Sequence, residues 1–189
     1  MSKSHFVSHT PATAPAEARD YLTGAQQQFG FIPEPLARMV EAPALVEAFF
    51  KINPIFEKST AFSPLEREVM VMTIGAYNGC AYCVAMHTAF LKRMEAPEKL
   101  IEALREQRTL TDPKLDALAK FTRRVLEHRG NVGDGAMAEF ERAGYTARHA
   151  LEVVLGVATY VLTTYSNRMT KAPLDAPFES FRWQGAEAE

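Results

Sequence analysis

The stretch that decides the fold is "EREVMVMTIGAYNGCAYCVAMHT", residues 66–88. From Val69 onward its first half is apolar almost all round, which is typical of a buried helix. The pair Asn78 and Gly79 interrupts the pattern, and helical periodicity then resumes with both cysteines of the chain. Strand-like alternation is nearly absent here and elsewhere. The stretch therefore predicts two consecutive core helices in an all-α fold.

Helix-start signals flank this core pair along the chain. "SPLE", Ser63–Glu66, is a capping box with a proline at the first helical position. "TDPK" offers Asp112 as a second N-cap residue. The predicted helices cover residues 15–28, 35–41, 44–58, 64–78, 80–94, 97–106, 113–129, 134–143 and 147–166.

Composition restricts the classes of function. The chain has 189 residues, of which 47% are hydrophobic, so it can bury a core as a single domain. Lys and Arg total 21 against 23 Asp and Glu, a balance that argues against nucleic acid or an anionic membrane as partner. No apolar run approaches the roughly 20 residues that span a bilayer, and the first 15 residues lack a signal-peptide core. We expect a cytoplasmic protein.

Both ends of the chain differ from its middle. Residues 1–14 are predicted to form a flexible or partner-docking arm, followed by a single helical domain over residues 15–189. The tail, from about residue 170, contains two prolines and three large aromatic side chains. Because an apolar tail is unfavourable in water, we expect it to pack on its own domain or on a second subunit. These aromatic residues are Phe178, Phe181 and Trp183.

Cys80, Cys83 and His87 lie on one face of the second core helix at about 100° per residue. Cα atoms three residues apart on a helix are about 5–5.5 Å from each other, within the range of a disulfide. Cys83 and His87 are spaced i, i+4, so thiol and imidazole can touch. A helix start after Gly79 places both thiols where the helix dipole stabilises a thiolate.

Glu68, on the first core helix, is a further ionisable group that can take part in the chemistry of the cysteines and His87. It lies at the edge of the apolar stripe of the first core helix, where a carboxylate needs a partner or a raised pKa. His87 on the following antiparallel helix can be that partner. The hypothesis is a proton relay that runs from Glu68 through His87 to Cys83.

Other interpretations of the same residues remain open. The two cysteines, His87 and Glu68 could bind zinc, although three ligands on two turns of one helix close poorly around a tetrahedron. The cysteines could be inert core thiols, and Glu68 a solvated charge. Tyr82 could lend its hydroxyl to the site or merely cover it. The histidines for which no functional role is expected are His5, His9, His128 and His149.

The pattern formed by Glu68, Cys80, Cys83 and His87, E-x11-C-x2-C-x3-H, resembles the AhpD-like alkylhydroperoxidase branch of the carboxymuconolactone decarboxylase superfamily. The resemblance is good over about residues 40–100. With "SNRMTKAPLDAPFESF" near the end, the whole chain is similar to the longer, peroxidase-related members. The resemblance implies an all-α helical bundle with the cysteines at the start of a core helix. It also implies a homo-oligomer, either a dimer or a trimer of dimers.

The resemblance further implies a role for each site residue. Cys83 would attack the peroxide, Cys80 would resolve the product as a disulfide, and Glu68 and His87 would relay protons. The implied function is a thiol-dependent peroxidase that needs no cofactor or metal and is reduced by a dithiol, either a protein or a lipoyl-type group. Tyr82 departs from the type member, which has a histidine there. The alternative is a thiol redox sensor or an oligomeric binding protein without efficient turnover.

Overall fold

The all-α prediction is confirmed. The computed structural model describes residues 5–185, and no strand occurs within that range. Two short 3₁₀ helices, Ala16–Ala18 and Ala176–Phe181, flank the α-helices. The α-helices of this range are α1 Arg19–Phe29, α2 Glu34–Met39, α3 Pro43–Ser59, α4 Pro64–Tyr77, α5 Ala81–Arg93, α6 Glu98–Arg105, α7 Pro113–Glu127, α8 Asp134–Arg142 and α9 Ala147–Thr170.

The predicted caps begin their helices as the sequence indicated. At α4 the amide of Glu66 donates to Ser63 Oγ (3.2 Å), and the Glu66 carboxylate accepts from the amide of Ser63 (2.8 Å). At α7 Asp112 Oδ1 accepts from the amides of Lys114 (2.8 Å) and Leu115 (3.0 Å). Each cap provides acceptors for amides that have no partner inside the helix. The first residues of α4 and α7 are therefore determined by neighbouring residues in the sequence.

Helix α9 is longer than predicted. We predicted its end at residue 166, whereas the helix continues to Thr170 and ends at Lys171, which adopts a left-handed conformation (φ 51°). The segment after residue 166 has neither glycine nor proline before Pro173, so the sequence contains no strong stop signal at the predicted position. The added turn carries Asn167, which becomes important at the site.

Helix α4 is the centre of the fold and packs against α5, α7 and α9. Its side chains Val69, Met70 and Ile74 are fully buried. At Gly156 α9 passes so close that an added Cβ would collide with Met70 and with Phe56 of α3. This close approach fixes the depth of α9 against α4, and with it the position of the last turns of α9.

Both ends of the described chain contact the helical body. In the arm, the amide of His9 donates to the carbonyl of Ala37 (2.8 Å), while residues 1–4 lie outside the described residues. In the tail, Phe178 packs beside the cysteines, and Trp183 is buried with its Nε1 donating to the carbonyl of Arg105 (3.0 Å). Within residues 5–185 no helix is both long and apolar enough to span a membrane.

Candidate active site

The two cysteines occupy the start of α5, as predicted. Cys80 is the N-cap residue, and its sulfur accepts from the amide of Cys83 at 3.3 Å. The two form a disulfide with their Cα atoms 5.3 Å apart. The turn before them depends on Gly79, whose φ of 64° few other residues adopt readily. The backbone thus presents both sulfurs at the positive end of the α5 dipole.

A glycine in α4 lets the two core helices meet at this point. A Cβ added to Gly75 would lie 3.3 Å from the Cβ of Cys83, tighter than most contacts between such atoms. The carbonyl of Gly75 also accepts from the amide of Cys80 (2.9 Å). The end of α4 and the start of α5 are therefore held together directly beside the disulfide.

The structure brings Glu68 and His87 together across α4 and α5. His87 Nδ1 lies 2.8 Å from Glu68 Oε2, and the side chains are only 6% and 14% exposed, respectively. The imidazole edge also packs on the rings of Phe90 and Tyr160. A carboxylate at Nδ1 fixes the orientation of the ring and leaves Nε2 as the nitrogen for proton exchange.

A cavity of about 760 Å³ opens onto this pair. Cys83, His87 and Glu68 line it, whereas Cys80 does not. The two sulfurs are therefore not equivalent, because a small molecule in the cavity reaches Cys83 first. Most of the remaining lining is apolar or aromatic and includes Tyr21, Phe29, Phe49, Phe50, Met86 and Phe90.

Tyr82 lines the same cavity but directs its hydroxyl away from the disulfide. The hydroxyl donates to Asp175 Oδ2 (2.7 Å), which also accepts from the amide of Glu34 (3.1 Å). The ring packs edge-on against Phe178. Burial and the Asp175 carboxylate raise the pKa of Tyr82, and burial raises the pKa of Asp175 despite these bonds. Tyr82 thus anchors the tail over the cysteines instead of offering them its hydroxyl.

A polar network that sequence reasoning missed lies behind His87. Tyr160 donates to Glu57 Oε1 (3.1 Å), with Asn53 Oδ1 as a second acceptor at 3.2 Å. Arg67 Nε lies 3.2 Å from Glu57 Oε2. Burial and the nearby carboxylates of Glu57 and Glu68 raise the pKa of Tyr160, so this residue stays a neutral donor. These groups come from α3, α4 and α9, and no local pattern connects them.

Asn167 is the other missed residue. Its Nδ2 donates to Cys83 Sγ at 3.3 Å and lies 3.8 Å from Cys80 Sγ. It belongs to the last turn of α9, beyond the predicted end of that helix. Asn167 belongs to the segment "SNRMTKAPLDAPFESF", which contributed to the family resemblance. Nothing in that segment indicated a contact with the cysteines.

Two of the histidines for which no functional role was expected, His9 and His149, make structural contacts. His9 contacts the carboxylate of Glu41 through Nε2 (2.5 Å) and the carbonyl of Thr13 through Nδ1 (3.1 Å). His149 accepts from the amide of Thr146 in a cap at the start of α9. Across residues 5–185, no three His, Cys, Asp or Glu side chains converge as a metal site would require.

Comparison with known families places this site in context. Residues 43–124 match the carboxymuconolactone decarboxylase family, and the matched range contains Glu68, Cys80, Cys83 and His87. A comparison with curated protein sequences found no match.

Solved structures share the fold over nearly the whole chain. An uncharacterized peroxidase-related protein with an alkylhydroperoxidase AhpD core, from Ralstonia eutropha JMP134, is 21% identical with a TM-score of 0.80, covering 94% of this chain and 95% of that one. An uncharacterized peroxidase-related protein from Silicibacter sp. TM1040 is 18% identical with a TM-score of 0.77, covering 96% and 97%.

A third similar structure has a different activity in its name. The debrominase Bmp8, as a cysteine-to-alanine variant in complex with 2,3,4-tribromopyrrole, is 17% identical with a TM-score of 0.74, covering 96% of each chain. The family match and the shared fold confirm the resemblance predicted from the sequence. The similarity to the family covers residues 43–124, and the likeness to the solved structures over nearly the whole chain shows a shared all-α fold.

Proposed function

We propose that this protein is a cytoplasmic thiol-dependent peroxidase that reduces organic hydroperoxides through its Cys80–Cys83 pair. One observation carries the proposal: of the two disulfide-bonded cysteines, only Cys83 lines the cavity, and the buried pair of His87 and Glu68 lines it too. A nucleophile, a base and a group that orients the base are the parts that such a reaction needs.

In the first half-reaction the Cys83 proton passes to His87, and the thiolate sulfur attacks the terminal oxygen of R–O–O–H. The S–O bond forms as the O–O bond breaks, and the leaving alkoxide takes the proton from the imidazolium. Sulfur is oxidised by two electrons to a sulfenic acid, and the peroxide is reduced to an alcohol. Glu68 stabilises the imidazolium through Nδ1 and keeps the ring in place.

In the second half-reaction Cys80 attacks the sulfenic sulfur of Cys83. The S–S bond forms, the S–O bond breaks, and the oxygen leaves as water with the proton from Cys80. An external dithiol then returns two electrons and two protons by thiol–disulfide exchange and becomes a disulfide itself. The Cys80–Cys83 disulfide of this structure corresponds to the end of the oxidative half of the cycle.

The cavity favours a hydroperoxide with a bulky apolar group. Its wall is mainly aromatic and apolar, so binding is stabilised by burial of hydrocarbon. Hydrogen peroxide has no such group and gains nothing from this wall. We expect kcat/KM for an aryl hydroperoxide to exceed that for hydrogen peroxide about tenfold or more.

Peroxide consumption with dihydrolipoamide as reductant tests the proposal. Wild type is expected to turn over cumene hydroperoxide, and Cys83→Ser is expected to lose all turnover. Cys80→Ser is expected to complete one turnover and to leave a sulfenic acid on Cys83 that dimedone traps. Absence of Cys83 oxidation in reduced wild type under single-turnover conditions would overturn the proposal and leave the redox-sensor or binding alternative.

A second candidate is reductive dehalogenation of an aromatic compound. It is favoured by the aromatic cavity wall beside Cys83 and by the shared fold with a debrominase bound to a bromopyrrole. The carbon–halogen bond would break and a carbon–hydrogen bond would form: the two thiols would supply two electrons and two protons, and the products would be the dehalogenated arene, halide with one proton, and the Cys80–Cys83 disulfide. Bromide release from 2,3,4-tribromopyrrole, measured beside cumene hydroperoxide reduction, compares the two candidates in one preparation.

The proposal includes a homo-oligomer, as a dimer or a trimer of dimers. Four exposed apolar side chains fall on one face of α9 by helical spacing: Leu151, Val154, Tyr165 and Met169. Such a face is unfavourable in water and supports assembly. Sedimentation velocity of the reduced and the oxidised protein measures the oligomeric state. A monomer under both conditions would contradict the proposed homo-oligomer.

A further inference from the structure

The side chain of Asn167 is buried against the disulfide with half of its hydrogen-bonding capacity unused. The residue is 7% exposed, and its Nδ2 donates to Cys83 Sγ at 3.3 Å. Its Oδ1 is buried without a hydrogen-bond partner among residues 5–185. Because a buried orphan acceptor is costly, this arrangement requires a compensating role.

The backbone around Asn167 holds the amide in this position. The carbonyl of Asn167 accepts from the amide of Ala172 (3.1 Å), which closes the end of α9. The neighbouring Arg168 donates to the carbonyl of Asn78, in the turn between α4 and α5. The end of α9 is thus tied to the same turn that presents the cysteines, so the amide stays next to the sulfurs.

The amide distinguishes the two sulfurs. An amide N–H can only donate, and a thiolate is a far better acceptor than a thiol or a disulfide sulfur. Nδ2 is 0.5 Å nearer to Cys83 Sγ than to Cys80 Sγ, at 3.3 against 3.8 Å. Its contribution therefore grows when Cys83 ionises.

We propose that Asn167 is a further catalytic residue, whose amide N–H holds Cys83 as the thiolate and thereby selects it over Cys80 as the nucleophile. This assignment rests on the proposed thiol chemistry. Of the two polar atoms of this amide, it is the donor Nδ2 that lies against both sulfurs.

Iodoacetamide alkylation of Cys83 against pH tests the proposal in full-length, reduced Cys80→Ser protein. Asn167→Ala is expected to slow alkylation about tenfold near neutral pH and to raise the midpoint by about one pH unit. Asn167→Asp, which is nearly isosteric, is expected to raise the midpoint further because a carboxylate replaces the donor. Thr170→Val is the matched control, since its hydroxyl is buried on α9 and bonds only within that helix.

With both cysteines present, the site of first alkylation tests the selection of Cys83. Mass spectrometry is expected to find Cys83 modified first in wild type, and this preference is expected to fall about tenfold in Asn167→Ala. Unchanged alkylation rates and pH midpoints in Asn167→Ala and Asn167→Asp would overturn the assignment. If Asn167→Ala loses its helical circular dichroism, the result for Asn167→Asp alone decides. No peroxide is used, so failure of the peroxidase proposal would appear separately, as wild type that alkylates normally but forms no sulfenic acid.

Discussion

Two glutamates on the same helix, Glu66 and Glu68, have different surroundings, and we propose different roles for them. Glu66 accepts from the amide of Ser63 (2.8 Å) and the hydroxyl of Tyr145 (3.0 Å) and pairs with Lys114 Nζ (3.0 Å). Glu68, two residues later, faces the cavity and contacts a single imidazole. Only one residue separates them, but at about 100° per residue their side chains point about 200° apart on α4 and so meet different neighbours.

The difference shows what makes a buried carboxylate available for chemistry. Burial alone would raise the pKa of Glu66, but the bonds from Ser63, Lys114 and Tyr145 outweigh it and lower that pKa. Such a carboxylate is held in the ionised state and acts as a structural group. Glu68 contacts the imidazole of His87, a group that can accept and release a proton, so this carboxylate is placed to support the proposed proton transfer.

The largest expected effect is on turnover in Glu68→Gln. Glutamine can keep a hydrogen bond to His87 Nδ1 but removes the charge that stabilises the imidazolium. We expect kcat/KM for cumene hydroperoxide to fall about 100-fold, within the range of acid–base groups, with stability changed by less than about 1 kcal/mol. Stopped-flow kinetics and urea unfolding measure the two effects. A rate within twofold of wild type would contradict the relay.

The matched variant, Glu66→Gln, is expected to show the reverse pattern. Glutamine can still cap Ser63 and accept from Tyr145, but the ion pair with Lys114 is lost. We expect the free energy of unfolding to fall by about 1 kcal/mol and the peroxide rate of the folded protein to stay near wild type. A large rate loss with unchanged stability would show that the two glutamates are not functionally separate.

Acid should reduce the stabilising contribution of Glu66. Because the folded pKa of Glu66 lies below its ordinary value of 4.5, its ionised form contributes stability that is fully present above that pH. The contribution is lost as the pH falls through the folded pKa. The stability difference between wild type and Glu66→Gln should therefore shrink below about pH 4.5. Thermal unfolding between about pH 3 and 6 measures this trend, and a difference that grows towards acid would contradict it.

The smallest effect is expected for Tyr82→Phe, which concerns a third carboxylate, the half-buried Asp175. The change removes the donor from Asp175 Oδ2 but keeps the ring on Phe178. We expect a stability loss of about 0.5–1 kcal/mol and a peroxide rate within about threefold of wild type, because the hydroxyl does not face the sulfurs. A rate loss of about 100-fold would show instead that Tyr82 lends its hydroxyl to the site.

Local patterns were sufficient for much of the fold. The capping residues Ser63 and Asp112 and the break at Gly79 are short-range signals, and the helices they delimit were predicted to within a few residues. The end of α9 was missed because a left-handed lysine, Lys171, ends it where a glycine is more usual, and the first proline signal, Pro173, lies seven residues beyond the predicted end at residue 166. Local bonds close this end, and Arg38 of α2 adds a distant one by donating to the carbonyl of Thr170 (2.6 Å), a contact that a local pattern does not contain.

The residues of the candidate site likewise fall into two groups: those that local spacing predicts and those that only the packing of distant elements brings in. Glu68, Cys80, Cys83 and His87 lie within twenty residues, so helical spacing alone brought the cysteines and the imidazole to one face. Asn167 and Asp175 are more than eighty residues further along the chain than Cys83. Their approach depends on how α9 and the tail pack on the body, for which one sequence contains no distance information.

The sequence by itself therefore determined the helical class, the caps and the four residues of the motif, because those follow from neighbours within a few helical turns. Only the tertiary structure decided that Cys83 and not Cys80 faces the cavity, that Tyr82 turns to the tail, and that an amide from α9 reaches the sulfurs. Close packing of distant helices fixes these contacts, since each depends on the depth and angle at which one helix meets another.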